Sequence, residues 1–159
     1  MLKFLDHPPE PFDRIFFEAS IPSVVAAKNP VIDAILKTLK EKSYISASDD
    51  EMNIRLVLEE GVINGMRHGN KYDEKKKVKI VFGEIGNAWA VSLEDEGEGF
   101  SPDDLPDPND PAAIFLEGGR GVFLMNVFMN RVEYYNGGRG VLLVKNIGGA
   151  SGEAAKGGE

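Results

Sequence analysis

The sequence predicts an α+β protein, a two-layer sandwich with helices packed on one face of a mixed, mainly antiparallel sheet. Short segments in which apolar and polar residues alternate are joined in pairs by glycine-containing turns. This is the pattern of antiparallel hairpins. Three longer segments repeat their apolar residues close to every 3.6 positions, which is typical of amphipathic helices. Strands and helices are segregated along the chain, and such an arrangement predicts an α+β fold.

The individual elements follow from these periods and from their capping residues. Ser23 is a candidate N-cap of the first helix, and Pro30 either kinks that helix or marks its true start with Asn29 as the cap. The second helix ends at a glycine signal, Gly69. We predict strands at residues 13–20, 77–82, 88–94, 131–135 and 140–146, and helices at residues 24–42, from 49 or 50 to about 68, and 121–129.

The 159 residues suit one domain, which we place at residues 12–147. Residues 1–11 are expected to form a flexible leader, and residues 148–159, rich in Gly, Ala and Glu, a disordered tail. Residues 95–120 form a long irregular segment rich in Gly, Pro and Asp. Such a segment in a compact domain is usually a functional lid or disordered.

Composition excludes several classes of protein. The chain has no cysteine, which excludes disulfides, thiolate metal sites and a cysteine nucleophile, and fits a reducing, cytoplasmic location. No apolar run approaches the roughly 18–20 residues that span a bilayer, and the N-terminus lacks a signal peptide's apolar stretch. The net charge of -8 argues against direct nucleic-acid binding. We therefore expect neither a membrane nor a nucleic-acid partner.

A polar stripe runs along the second predicted helix. Glu60, Asn64 and His68 are spaced i, i+4, i+8, so they share one helix face. Asn and Glu oxygens suit Mg²⁺, and a carboxylate one turn away can orient or deprotonate a hydroxyl or a water molecule. By itself, the stripe is more typical of a solvent-facing helix surface.

A first glycine-rich segment, Asp95-Glu-Gly97-Glu-Gly99-Phe100, follows a predicted strand. The two glycines permit a close backbone approach to a ligand. Asp95, at the strand end, can accept a hydrogen bond from an exocyclic amine, which is the contact that selects adenine. An ordinary acidic turn would have the same sequence pattern.

A second glycine-rich segment, Gly118-Gly119-Arg120-Gly121-Val122, opens the third predicted helix. Free N–H groups and the helix dipole at a helix start favour phosphate. Arg120 adds positive charge there or contacts a partner. The segment lacks the Gly-Lys-Ser/Thr ending of a Walker A loop. Together with the polar stripe, the strand-end Asp and the long lid, it predicts a complete ATP site.

The chain resembles the GHKL ATPases, the Bergerat-fold superfamily of gyrase B, MutL and the histidine kinases, over residues 12–146. Glu60 and Asn64 fall on the N box of that family. The two glycine boxes fall on Asp95, Gly97, Gly99, Gly119 and Gly121. The phrases HGNK, DEGEGFSPDDLPDP and GGRGVFLMNVFMNRVEY are similar to those of the small bacterial anti-sigma-factor serine/threonine kinases.

The resemblance implies a role for each matching residue. Asn64 would coordinate Mg²⁺, Glu60 would act as the general base toward a substrate serine, and Asp95 would recognise the adenine amino group. His68 and Asn70 would help to close the phosphate side of the site. The residues expected to contact the nucleotide with these are Gly97, Gly99, Phe100, Gly119, Arg120, Gly121 and Val122.

The function so implied is that of an ATP-dependent serine/threonine protein kinase acting as an anti-sigma regulatory factor. It would phosphorylate a serine of a STAS-domain antagonist, sequester a sigma factor and form a homodimer through the first-strand side. The alternatives are an ATP-binding regulatory adaptor with little kinase activity and a detached histidine-kinase-like catalytic domain.

One position departs from the family pattern. Related sequences usually carry a threonine after a glycine in the last hairpin, near the adenine, whereas here Val141 follows Gly140. Without the threonine hydroxyl, a hydrogen bond worth about 0.5–1.5 kcal/mol is lost. Either ATP binding is weaker as a result or water replaces the hydroxyl.

Overall fold

A computed structural model describes residues 2–45, 48–115 and 119–147. Gly118 and the predicted tail at residues 148–159 lie outside the described residues. One sheet has the strand order β1-β5-β6-β4-β3-β2, and all of its pairs are antiparallel except β1 with β5. Its strands are β1 (Leu2–Phe4), β2 (Arg14–Pro22), β3 (Lys77–Ile85), β4 (Ala88–Glu94), β5 (Arg131–Tyr135) and β6 (Gly140–Asn146).

Three helices lie on one face of this sheet, which confirms the predicted α+β sandwich. They are α1 (Lys28–Glu41), α2 (Ser48–Asn64) and α3 (Gly119–Phe128). A π-helical turn, Gly65–Gly69, extends α2. Within the described residues, none of the helices is both long and apolar enough to cross a membrane.

The start of α1 differs from the predicted caps. Pro30 is the third residue of the helix, where a backbone N–H would have no intrahelical partner, so it causes no kink. Ala27 is the N-cap residue, so Asn29 lies inside the helix. Ser23 lies before the preceding 3₁₀ turn, and its hydroxyl donates to the carbonyl of Lys76 at 2.8 Å instead of capping a helix.

The core lies between the helices and the sheet. Its largest fully buried side chains include Trp89 and Phe82 from the sheet and Met125 from α3. Trp89, Met125 and Met129 are all buried. Lys28 of α1 pairs with Glu59 of α2 at 3.5 Å, so Glu59 faces away from the Asn64 side of its helix, as its position predicts.

The N-terminal residues differ from the predicted flexible leader. Leu2–Phe4 forms β1, which pairs with β5 at the edge of the sheet. Phe4 stacks on Tyr134 with ring centroids 5.0 Å apart, and this apolar contact adds to the strand pairing. Leu5 and Phe12 then pack against a smaller buried cluster that includes Tyr135 and Leu142. The segment therefore belongs to the folded domain.

We expect Phe4→Ala to lower the free energy of unfolding by about 1–3 kcal/mol, because it removes a half-buried aromatic ring from two ring contacts. Urea denaturation measures the change. Lys3→Ala, an exposed position on the same strand, is the control. A stability equal to that of the wild type would show that the segment behaves as a free leader.

Candidate functional site

A cavity of about 300 Å³ opens between the helices and the sheet. The end of α2 and the turn after it supply Asn64 and His68 to its wall. The loop after β4 supplies Asp95, Gly99 and Phe100, and α3 supplies Val122. The structure therefore brings six of the predicted site residues together around one cavity. The other predicted site residues that are described do not line this cavity: Glu60, Gly97, Gly119, Arg120 and Gly121.

Asn64 is the last residue of α2, and its carboxamide oxygen Oδ1 is buried. Within the described residues, no hydrogen-bond donor reaches this oxygen. A buried polar atom without a partner costs about 1–3 kcal/mol, and the residue that carries this one lines the cavity. A neutral carboxamide oxygen on the cavity wall is a suitable ligand for Mg²⁺.

A cation at Asn64 would find few other protein ligands. In the part of the chain that the structure describes, no group of three or more His, Cys, Asp or Glu side chains could hold a metal ion. Mg²⁺ characteristically keeps several waters and takes one or two protein ligands together with substrate phosphates. The donor set therefore fits Mg²⁺ brought in with a phosphorylated ligand.

Asp95 also belongs to the polar lining of the cavity. Its carboxylate accepts a hydrogen bond from the N–H of Gly97 at 2.8 Å, and its own N–H donates to the carbonyl of Arg139 at 3.0 Å. Burial raises the pKa of the Asp95 carboxyl, while the Gly97 hydrogen bond and the Arg139 charge act in the opposite direction. This carboxylate still has acceptor capacity for an amine in the cavity.

The glycines near Asp95 allow the backbone to pack closely. A Cβ at Gly97 would lie 2.1 Å from the carbonyl oxygen of Gly69, so this glycine joins two loops behind the cavity wall. Gly99 has φ +79°, and its Cβ would lie 2.0 Å from the carbonyl oxygen of Gly137. Both positions therefore require glycine for the shape of the site.

Glu60 lies one turn before Asn64, and its carboxylate is held by Arg120. The guanidinium donates to Oε2 from Nε at 3.0 Å and again from Nη2. This carboxylate raises the pKa of Arg120 further, so the guanidinium stays charged. The sequence predicted that Arg120 adds charge at the ligand or contacts a partner. In the structure its guanidinium contacts Glu60.

The start of α3 lies directly against α2. A Cβ at Gly121 would lie 2.8 Å from Nδ2 of Asn64 and 3.3 Å from Oε1 of Glu60. Gly121 therefore shapes the site by this close approach, and Gly119 is buried at the first position of the helix. Because α3 begins here, its free N–H groups lie at the Asn64 end of the cavity.

Asn70 has a different role from the one the resemblance implies. The residue is fully buried. Its Nδ2 donates to Ser23 Oγ at 2.9 Å and to the carbonyl of Lys77 at 3.0 Å, while its Oδ1 accepts from the N–H of Glu96 at 2.8 Å. All of these partners are protein atoms, so Asn70 holds loops together instead of closing a phosphate site.

Several lining residues were missed by sequence reasoning. Leu93 and Tyr134 face the helices from β4 and β5, as their alternation in the sheet could have indicated, and Val141, which the sequence comparison had placed near the adenine, lies between them in β6. Arg139 also lines the cavity, and its Nε donates to the carbonyl of Gly97 at 2.8 Å. No local pattern marks Arg139, because its contact joins residues that are 42 positions apart.

We expect Asp95→Asn to stabilise the ligand-free protein at about pH 7 more than at about pH 4. The raised pKa of Asp95 means that ionisation is costlier in the folded state. The wild-type carboxyl therefore contributes its full stability below the unfolded-state pKa, and this contribution is lost as pH rises through the folded-state pKa, so the variant gains relative to the wild type at the higher pH. Urea denaturation at both pH values measures this difference between variant and wild type.

Asp103→Asn, an exposed acid in the same loop, is the control for the Asp95 variant. Its stability difference from the wild type should not change between the two pH values. An Asp95→Asn difference that is also independent of pH would contradict the burial argument.

Two comparisons with known proteins agree with this geometry. Residues 26–146 match the family model described as histidine kinase-like ATPase domain. The chain is also 28% identical over 108 residues to the serine-protein kinase RsbW of Bacillus subtilis (strain 168), which covers 64% of this chain and 68% of that protein. The resemblance stated from the sequence is confirmed, and the chain belongs to the histidine kinase-like ATPase domain family.

Proposed function

We propose that this protein binds Mg²⁺-ATP in the cavity and transfers the γ-phosphoryl group to a serine of a STAS-domain antagonist, as an anti-sigma regulatory factor. The observation that carries the proposal is the unpaired, buried Oδ1 of Asn64 in the same cavity as the Asp95 carboxylate. The family supports the use of ATP, and the similarity to a serine-protein kinase supports serine as the acceptor.

The two ends of the cavity suit the two ends of ATP. At one end, the Asp95 carboxylate can accept a hydrogen bond from the adenine amino group. We place the phosphates beside Asn64, which lies against the start of α3, since a Cβ at Gly121 would lie 2.8 Å from its Nδ2. Lys71 also lines the cavity. Helix N–H groups and a lysine both favour phosphate oxygens. The cavity between them is floored by apolar side chains that suit a purine ring.

Glu60 is proposed as the general base. Both hydrogen bonds from Arg120 go to Oε2, so Oε1 retains its lone pairs for the proton of a serine hydroxyl. Arg120 thereby fixes the orientation of the carboxylate. Mg²⁺, when bound with ATP, would neutralise charge on the phosphates during transfer. Positioning by Asn64, His68 and the start of α3 supplies the rest of the proposed catalysis.

The proposed partners follow from the resemblance to anti-sigma-factor kinases. They are the STAS-domain antagonist, a sigma factor that the protein sequesters, and a second copy of the chain. One feature supports the homodimer: β2 is an edge strand of the sheet, and its Ile15 is 49% exposed. Edge strands with exposed apolar side chains are prone to pair with another chain. The cytoplasm is the proposed location.

A second candidate function is an ATP-binding regulatory adaptor with little kinase activity. The Arg120 ion pair favours it, because the proposed base is already engaged and stands behind the cavity wall. Labelled ATP with a STAS-domain protein and a sigma factor separates the two functions. A kinase labels the antagonist, whereas an adaptor only changes its affinity for its partners. A detached histidine-kinase-like domain would instead label a histidine.

We expect Glu60→Gln to retain ATP binding and to lower the rate of serine phosphorylation by about 10²-fold or more, because it removes the proton acceptor. Transfer of labelled phosphate to the antagonist measures the rate, and calorimetry measures ATP binding. Glu59→Gln, which alters the neighbouring acid paired with Lys28, is the matched control. Phosphorylation at the wild-type rate by Glu60→Gln would refute the assignment of the base.

We expect Asn64→Ala to weaken ATP binding in the presence of Mg²⁺ by about tenfold or more, because it removes the carboxamide ligand. The affinity measured with excess chelator should change much less. Isothermal titration calorimetry with and without Mg²⁺ measures both values. An unaltered affinity for Mg²⁺-ATP would count against the metal role of Asn64.

A further inference from the structure

Tyr134 carries a buried hydroxyl that no role assigned above uses. The residue is 6% exposed and lines the cavity from β5. Phe4 stacks on its ring, and Phe100 contacts it edge-on with ring centroids 5.2 Å apart. These two contacts hold the ring in one orientation. The position of the hydroxyl is therefore fixed by packing.

The hydroxyl has no strong hydrogen-bond partner in the described part of the chain. Its nearest polar contact is Sδ of Met125, at 4.0 Å, and a thioether sulfur is a weak acceptor. Met125 also lines the cavity, so both residues of this contact belong to the cavity wall. A tyrosine hydroxyl normally finds a partner when it is buried, because leaving it without one costs stability.

The surroundings indicate which part of a nucleotide would reach this hydroxyl. Tyr134 pairs with Val141, which pairs with Leu93, so the three side chains form one row across the sheet. Asp95 follows Leu93 by two residues along the chain, directly after the end of β4. This floor is apolar and suits a purine and its sugar, whereas charged phosphates would lose their hydration there. The phosphates would instead lie beside Asn64 and the start of α3.

We propose that Tyr134 is a second polar contact for the nucleoside, with its hydroxyl donating a hydrogen bond to an acceptor atom on the base or sugar of the bound nucleotide. This inference rests on the proposed ATP binding. Burial raises the pKa of Tyr134, which keeps the hydroxyl protonated and able to donate. Asp95 would accept a hydrogen bond from the nucleoside, and Tyr134 would donate one to it. The two side chains together would recognise one donor and one acceptor of the nucleoside.

Tyr134→Phe tests the proposal, because it removes the oxygen and keeps the ring contacts. We expect the affinities for ATP, ADP and adenosine each to fall by a similar factor, about three- to tenfold, since the lost hydrogen bond lies on their shared part. Calorimetry with the full-length protein measures ATP and ADP, and competition measures adenosine. Tyr44→Phe, whose hydroxyl contacts Glu84 away from the cavity, is the matched control and should bind like the wild type.

A stability measurement separates a binding role from a structural one. Without nucleotide, the melting temperature of Tyr134→Phe should equal or exceed that of the wild type, because a hydroxyl without a strong partner is removed. A clear drop would assign the hydroxyl a structural role and overturn the proposal. Unchanged affinities, or a loss seen with ATP and ADP but not with adenosine, would also overturn it. If the wild type bound no ATP, the proposed function itself would fail.

Discussion

The site depends on the hydrogen bonds of one buried side chain, Asn70. Its carboxamide joins Ser23, the start of β3 and the loop after β4, and its N–H donates to the carbonyl of Gly65 at 2.8 Å. The loop after β4 carries Asp95, and the turn at Gly65 directly follows Asn64. The position of Asp95 relative to Asn64 is therefore set by Asn70, whose own hydrogen bonds all go to protein atoms.

The sequence predicts the local parts of this site better than the contacts between them. The helical spacing of Asn64 and His68 placed both on one cavity wall, and the glycine pattern located Asp95 and Gly99. The same spacing included Glu60, which lies behind the wall. A helix face two turns long can contact different neighbours along its length, and here the start of α3 covers the Glu60 turn.

The residues that the sequence missed are those whose positions depend on tertiary packing. Arg139 and Tyr134 reach the cavity through strand order and through contacts with distant loops. β1 is three residues long, too short for an alternating pattern to distinguish it from a leader. Its Phe4 nevertheless supports Phe100, a predicted site residue. The fold class was predictable because it depends on hydrophobic periods, whereas these contacts depend on which elements meet.

Three side chains that line this cavity carry a polar group that is unpaired, weakly paired or costly to ionise in the part of the chain that the structure describes. Oδ1 of Asn64 is unpaired, the hydroxyl of Tyr134 has only a weak contact, and Asp95 keeps a raised pKa. Each of these features costs stability in the ligand-free protein, as is common at functional sites. Nε1 of Trp89 is also unpaired, but Trp89 lies in the core away from the cavity wall, so an unpaired atom alone does not mark a site.

The ion pair between Glu60 and Arg120 separates the two candidate functions physically. Both candidates use the same ATP cavity, so nucleotide affinity alone cannot distinguish them. The difference lies in whether a serine hydroxyl can reach Oε1 while Arg120 holds Oε2. Glu60 is buried, whereas the side chain of Arg120 is 63% exposed. Arg120 is therefore the partner that a docking protein can contact and displace, which makes access to the base a property of the complex with the substrate protein.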